Sequence, residues 1–285
     1  MPELPEVETH VRDLEPELRK RAVIAAQVLW PRTIAAPGAD QFVGMIANQQ
    51  FASFGRRGKY MLFGMVSGDT LIVHLRMSGK LFVRPADAAV DLHTRVIFDL
   101  DDGRRLCFVD PRKFGRIWLA ANADEVVSKL GPEPLGSEFT AEWLAQKLNK
   151  RGVAIKSLLL DQSIVAGVGN IYADEALHEA GIHPLRSGAS LTTGEIDRLR
   201  LAVRAVLTRA IELGGSSLGR SPIQNYLRPG GEAGEFQEEH RVYARTGKPC
   251  LRCATPISRI VVGQRGTHFC PVCQPPGADR AAKST

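Results

Sequence analysis

The chain has 285 residues, enough for two domains of ordinary size, and an ordinary globular composition with 44% hydrophobic and 24% charged side chains. Lysine and arginine exceed the acids by 37 to 31, a net charge of +6 with a pI near 9.2, which points toward a polyanionic partner. No apolar run approaches the ~20 residues that span a bilayer, and the acidic start lacks the regions of a signal peptide, so a cytoplasmic protein without a membrane partner is expected.

The chain opens Met1-Pro2-Glu3-Leu4-Pro5-Glu6. Removal of Met1 would leave Pro2 as a terminal secondary amine beside the carboxylate of Glu3. An α-amino group titrates near ~8, so a useful fraction is unprotonated at neutral pH and can attack an electrophilic carbon such as a sugar C1′, with Glu3 shuttling the proton. Pro2, Pro5, Glu6 and Glu8 equally suit the first turn of a helix, where proline is tolerated and acids meet the positive end of the dipole. On these residues alone the second reading is the simpler.

Residues 5–20 predict an amphipathic helix with Val7, Val11, Leu14 and Leu18 on one stripe and Arg19 and Lys20 at its end. From there to about 120 the texture is that of strands. Leu71, Val73, Leu75 and Met77 alternate with Ile72, His74 and Arg76, and runs 95–100 and 105–110 flank Asp101-Asp102-Gly103 as a hairpin would. Cys107, alone in an apolar strand pattern, is expected in the core. The stretch Leu130 to Gly136, rich in Gly and Pro, breaks both periods and marks a domain boundary. Helices follow at 140–150, within 153–181, and at 192–213, the last opened by a Thr192/Glu195 capping box and closed by Gly214-Gly215. Ala166-Gly167-Val168-Gly169-Asn170 separates two short helical patterns, and a helix amino terminus there is a natural phosphate seat. Residues 214–240 read as a long mobile loop and 275–285 as a disordered tail.

Cys250-x-x-Cys253 and Cys270-x-x-Cys273, sixteen residues apart, have the spacing of a four-thiolate zinc site on a β-hairpin. With all four positions filled by protein, one structural Zn2+ is expected, and His268 is an ordinary strand residue. Arg265, beside Gly263 and Gly266 at the tip, could hold a phosphate. Further basic groups gather at Arg56, Arg57 and Lys59, at Arg112, Lys113 and Arg116, and at Lys147, Lys150, Arg151 and Lys156.

Six motifs, in order, resemble the bacterial formamidopyrimidine-DNA glycosylases, also called 8-oxoguanine DNA glycosylases, of the group that includes endonuclease VIII. They are Pro2 to Glu8, Arg56 to Tyr60, His74 to Gly79, Asp110 to Gly115, Gly167 to Ala173, and the zinc hairpin with Gln264 to Thr267. The resemblance implies an α+β multidomain protein: a catalytic β-sandwich domain with an amino-terminal helix (1–130), a linker (131–136), a helical domain with a helix-two-turn-helix motif and lesion-covering loop (137–235), the zinc finger hairpin (236–274) and the tail (275–285). It implies a monomeric base-excision enzyme on damaged double-stranded DNA, removing oxidised purines through a Pro2 Schiff base followed by β,δ-elimination. Glu3 then resembles the acid/base, Lys59 the proton donor of the first elimination and Arg265 that of the second. His93, Arg112 and Arg151 align with DNA-binding residues, and Asn170, His74 and Tyr243 with phosphate-positioning ones. Met77, Arg112 and Phe114 resemble the trio that fills the space left by an extruded base.

Residues Gly219 to Glu232 depart from the family pattern, which leaves lesion preference least determined. Two alternatives are kept. An endonuclease VIII-like preference for oxidised pyrimidines is disfavoured by Leu4 and by the Met77/Arg112/Phe114 set. A zinc-containing DNA-binding module without catalysis is disfavoured by the pairing of Pro2 with Glu3.

Overall fold

The computed structural model describes residues 1–218 and 226–276; the expected tail beyond 276 and the middle of the expected 214–240 loop lie outside the described residues. By packing, the chain forms two units: Met1–Lys129 with Leu213–Gln237, and Leu130–Glu212 with the chain from Glu238 onward.

In the first unit helix α1 (Leu4–Leu18) starts where a capping box starts it. The N–H of Glu3 donates to Glu6 Oε2 at 2.7 Å while the Glu3 carboxylate takes the N–H of Glu6. Pro5, in the first turn, forfeits no helical bond. Val7, Val11, Leu14 and Leu18 are all buried in the core. Nine strands follow, interrupted by helix α2 (Ala39–Ile46): β1 (Ala22–Val28), β2 (Ile34–Ala36), β3 (Gln49–Arg57), β4 (Tyr60–Met65), β5 (Thr70–His74), β6 (Lys80–Pro85), β7 (Thr94–Leu100), β8 (Arg104–Val109) and β9 (Arg116–Ala120), then the short α3 (Asp124–Val127).

Their order is β2-β9-β5-β4-β3-β1-β7-β8-β6, antiparallel except at β2 and β9. β1 and β3 pair only at Ala22↔Gln50 and Val23↔Gln49, so the run divides there into two halves. One core draws on both: Phe51, Phe63, Leu71 and Ile117 from one, Val23, Phe98, Leu106 and Phe108 from the other. Burying each of these phenylalanines contributes about 2–3 kcal/mol, and together they make the β-rich, sandwich-like layer the sequence implied.

The hairpin of β7 and β8 turns at Gly103, whose φ of 77° no side chain opposes. β5 stops at His74, three residues short of the alternating pattern, because Arg76 takes a φ of 54° and the chain turns. Cys107 is half-buried on β8, with its thiol pushed up by burial, and so sits at the margin of the core.

The second unit is helical, with a two-stranded ribbon. Thr140 Oγ1 accepts the N–H of Trp143 at 3.1 Å and caps α4 (Ala141–Leu148). α5 (Ile155–Leu160) and α6 (Asn170–Ala180) flank the glycine-rich loop, and Gly181 at φ 67° ends α6. α7 (Thr193–Glu212) opens on the expected box, in which Thr192 N–H donates to Glu195 Oε2 at 2.8 Å. β10 (Ser258–Val262) and β11 (Arg265–Phe269) form the hairpin. No helix among the described residues is long and apolar enough to cross a membrane.

Candidate active site

Pro2 and Glu3 are both buried at the amino end of α1. The β3–β4 turn carries Lys59, also buried, and Gly58 makes the turn with a φ of 55°. Arg56 Nε donates to Glu8 Oε2 on α1 at 2.9 Å, and its Nη1 donates to the carbonyl of Gly58 at 2.9 Å. The turn bearing Lys59 is thus tied to the helix that follows Pro2. Burial pushes the Glu8 carboxyl up, but the guanidiniums of Arg56 and Arg12 outweigh it and hold the group below its usual range. Arg56, counted in a basic cluster by sequence, is spent inside the fold.

His74 closes β5 opposite Tyr60, their rings 4.5 Å apart. Burial, with Arg76 and Lys59 nearby, depresses its pKa to about 3, so it is neutral at physiological pH. Its Nδ1 accepts the N–H of Arg76 at 3.0 Å, which leaves Nε2 as the proton-bearing nitrogen and a donor.

Asp110 organises the next group. Fully buried, it accepts from Ser78 Oγ at 2.5 Å and from the N–H groups of Arg112 at 3.2 Å and Gly115 at 2.7 Å, while its carbonyl takes Arg95 Nε at 2.9 Å. The bond to Ser78 joins the turn carrying Met77 to the turn carrying Arg112 and Phe114. The N–H of Asp110 also donates to the carbonyl of His93 at 2.9 Å, which brings His93 to the same place. Gly115 permits the turn, since a Cβ there would lie 2.3 Å from the Phe108 ring. Arg112 and Phe114 project outward together, guanidinium 5.2 Å from ring centroid, and Phe114 is 49% exposed. An exposed phenylalanine stiffened by a cation is costly unless something stacks on it.

In the second unit, Gln162 staples the glycine-rich loop. Its Oε1 accepts the N–H of Gly167 and its Nε2 donates to the carbonyl of Val168, both at 2.9 Å. Asn170 opens α6 and donates through Nδ2 to the carbonyl of Gly266 at 3.1 Å, while its buried Oδ1 has no hydrogen-bond partner among the described residues. Arg151 is exposed just beyond α4. Lys156 departs from the expected basic surface cluster: it is fully buried, with Nζ 2.6 Å from Asp174 Oδ1 and donating to Gly266 O at 3.1 Å and Thr267 Oγ1 at 2.8 Å. His268 lies on β11, as expected, and outside the four-sulfur cluster; its backbone N–H donates to Asp174 Oδ2 at 2.8 Å and its ring Nδ1 stands 3.1 Å from the same oxygen. Glu175 accepts the N–H groups of Arg241, Val242 and Tyr243 at 2.8, 3.0 and 2.7 Å, which fixes Tyr243 against His268, ring centroids 4.9 Å apart. Burial pushes the Glu175 carboxyl up in spite of those three donors.

The hairpin tip is a two-residue turn, Gly263 and Gln264 at φ 54° and 62°, the geometry in which a right-twisted ribbon closes. It leaves Arg265 exposed. At the other end the four sulfurs of Cys250, Cys253, Cys270 and Cys273 lie within 4.8 Å of one another. Separations of 3.4, 3.5 and 3.8 Å lie at or just below the ~3.8 Å that four ~2.3 Å zinc–sulfur arms require. The N–H groups of Arg252 and Cys273 point at Cys250 and Cys270 sulfurs, each at 3.4 Å, and His178 Nε2 stands 3.6 Å from Cys250 Sγ. The donor set fits one structural Zn2+.

Asp110, Gln162, Asp174 and Glu175 are positioning groups that sequence reasoning assigned no role. No local pattern announces them: Asp110 is followed by Pro111-Arg112-Lys113, Gln162 lies between Asp161 and Ser163, and Asp174 and Glu175 are adjacent acids on one helix.

Family models match three stretches: the formamidopyrimidine-DNA glycosylase N-terminal domain at residues 1–117, its H2TH domain at 130–221, and a zinc finger found in FPG and IleRS at 247–276. The formamidopyrimidine-DNA glycosylase of Herpetosiphon aurantiacus is 50% identical over 278 residues, covering 96% of this chain and 100% of the relative. That of Chloroflexus aggregans is 48% identical, covering 96% and 98%. Among solved structures, Lactococcus lactis FPG (MutM) in complex with a Fapy-dG-containing DNA is 37% identical, with a TM-score of 0.88 over 96% of this chain and 100% of that one. MutM (FPG) from Thermus thermophilus is 41% identical, with a TM-score of 0.86 over 97% and 100%. With all three matched domains in order along one chain, the protein belongs to the formamidopyrimidine-DNA glycosylase family.

Proposed function

We propose that this chain is a base-excision repair enzyme, a DNA glycosylase and abasic-site lyase that removes oxidised purines, 8-oxoguanine and formamidopyrimidines, from duplex DNA. The observation that carries the reading is the placement of Pro2 and Glu3 at the capped start of α1, with the turn of Lys59 tied to the same helix through Arg56 and Glu8.

Once Met1 is removed, the Pro2 nitrogen attacks C1′ and forms a C–N bond, and the glycosidic bond breaks with its electron pair leaving on the base. Glu3 moves the protons that this departure and the opening of the sugar ring require. The resulting iminium acidifies the C2′ proton, so loss of that proton expels the 3′ phosphate, and a second elimination expels the 5′ phosphate and leaves a one-nucleotide gap. Lys59 protonates the first leaving group. Arg265, too weak an acid to give up a proton readily, acts on the second mainly as a fixed positive charge.

The target base has to leave the stack before C1′ can be reached, and Met77, Arg112 and Phe114 fill the space, Arg112 facing the orphaned partner. His74, neutral and donating through Nε2, His93, Arg151, Asn170 and Tyr243 hold phosphates. Zn2+ on the four cysteines serves folding, holding the ribbon that presents Arg265. The enzyme acts as a monomer on DNA in the cytoplasm, at the bacterial nucleoid.

Cleavage rates on duplexes containing 8-oxoguanine, formamidopyrimidine and thymine glycol test the substrate class. The two purine lesions are expected to be cleaved at least tenfold faster, with gapped product carrying phosphate at both ends. Faster cleavage of thymine glycol would reassign the enzyme to oxidised pyrimidines.

A further inference from the structure

Helix α1 has a second stripe besides its apolar one. Glu6, His10 and Asp13 recur at i, i+4 and i+7, and Glu6 and His10 are almost wholly buried. Each is met by the segment Leu213–Gln237. The N–H of Ser216 donates to Glu6 Oε1 at 2.8 Å. Tyr226 lies on His10 with ring centroids 5.3 Å apart. Arg228 closes a two-pronged ion pair on Asp13, Nε to Oδ2 and Nη2 to Oδ1, both 2.8 Å.

The two feet of the segment are also joined to each other. Ser217 Oγ donates to the carbonyl of Tyr226 at 2.7 Å and accepts the N–H of Gly234 at 2.9 Å, and a Cβ at Gly234 would stand 2.3 Å from the carbonyl of Gly215. Glu6 connects this foothold to the reacting end of the helix, because its other oxygen holds the N–H of Glu3. Arg228 lies inside the 219–232 stretch that departs from the family pattern. A divergent segment seated on a fixed helix needs a foothold of its own, and Asp13, part-buried and outside the apolar stripe, supplies one.

We propose that Asp13 and Arg228 are a specificity-determining positioning pair: they fix where residues 226–234 lie along α1, and so how the segment stands relative to Glu3 when a damaged base is present. The inference rests on the glycosylase reading above. An abasic site has no base to be read, so the pair acts on base excision and leaves cleavage at a preformed abasic site alone. A merely structural role would lower both activities together.

The readout is the ratio of the single-turnover excision rate for an 8-oxoguanine duplex to the cleavage rate for a preformed abasic duplex. Asp13→Asn and Arg228→Gln are each expected to lower that ratio about fivefold, the range of a part-exposed two-pronged pair, with unchanged abasic cleavage. The charge swap Asp13→Arg with Arg228→Asp is expected to restore it. An unchanged ratio, or parallel loss of both activities, overturns the inference while leaving the glycosylase reading intact. A wild-type chain that cleaves abasic DNA but excises neither purine lesion overturns both.

Discussion

His10 shows how burial decides the work of a single side chain. It is fully enclosed on α1, its Nδ1 is 3.2 Å from the carbonyl of Glu6, and desolvation lowers its pKa to about 4. In the unfolded chain it titrates near ~6.5. The unfolded state therefore binds the extra proton, so the stabilisation is complete above about pH 6.5 and is lost as pH falls toward 4. The size is on the order of 3 kcal/mol for His10, and His74, lowered to about 3, acts in the same direction. Urea midpoints measured from pH 7.5 to 4.5 are expected to fall over this window, and His10→Asn to flatten part of the slope; an identical slope in the variant would contradict the assignment. The four cysteines could be read from sequence because their chemistry lies in spacing, and Pro2 and Glu3 could be nominated, as a proposal, because they are adjacent. Asp110 could not, because its partners are backbone N–H groups of a turn, and only the turn's geometry brings them to one carboxylate.

Whole elements were easier to foresee than their ends. Apolar periodicity located α1, and periodicity with the Thr192/Glu195 capping box located α7, since a stripe has to be buried and a first turn has to find acceptors, whereas the Glu3/Glu6 box of α1 was not foreseen. β5 ended early because a left-handed residue, Arg76, is set by the hydrogen bonds of the following turn and has no glycine to announce it. Lys156 was misplaced for a related reason: counted with its sequence neighbours it looked solvent-facing, whereas α5 and α6 pair it with Asp174 beneath the hairpin. The hairpin is consequently held at both ends, by thiolates and by α6. α6 also holds the segment that precedes the hairpin, through Glu175, and loss of that hold and loss of the metal have distinct signatures. Glu175→Ala strands three backbone donors at Arg241, Val242 and Tyr243, with an expected loss of about 3 kcal/mol in stability. A chelator is expected to free one zinc per chain and to weaken DNA binding at least tenfold. Full-strength binding by the metal-free protein would separate the metal from the interface.

At the scale of the molecule, the proposed reaction draws on both units: Pro2 and Glu3, the proposed nucleophile and proton shuttle, belong to the first, and Arg265 belongs to the second. Family membership was legible from six motifs spread along the chain, because each motif is a local backbone requirement joined to a reactive or phosphate-facing side chain. The return of residues 213–237 to the first unit was not legible, since nothing in a glycine-rich stretch says which surface it will cover. The account as a whole depends on a free secondary amine at Pro2. Borohydride reduction during reaction with an 8-oxoguanine duplex, followed by peptide mass mapping of the trapped complex, tests this most directly. The expected result is one DNA remnant per chain, attached to Pro2 of protein lacking Met1, and none when the amino terminus is acetylated. Attachment at a lysine such as Lys59, or equal trapping by the acetylated protein, would contradict it.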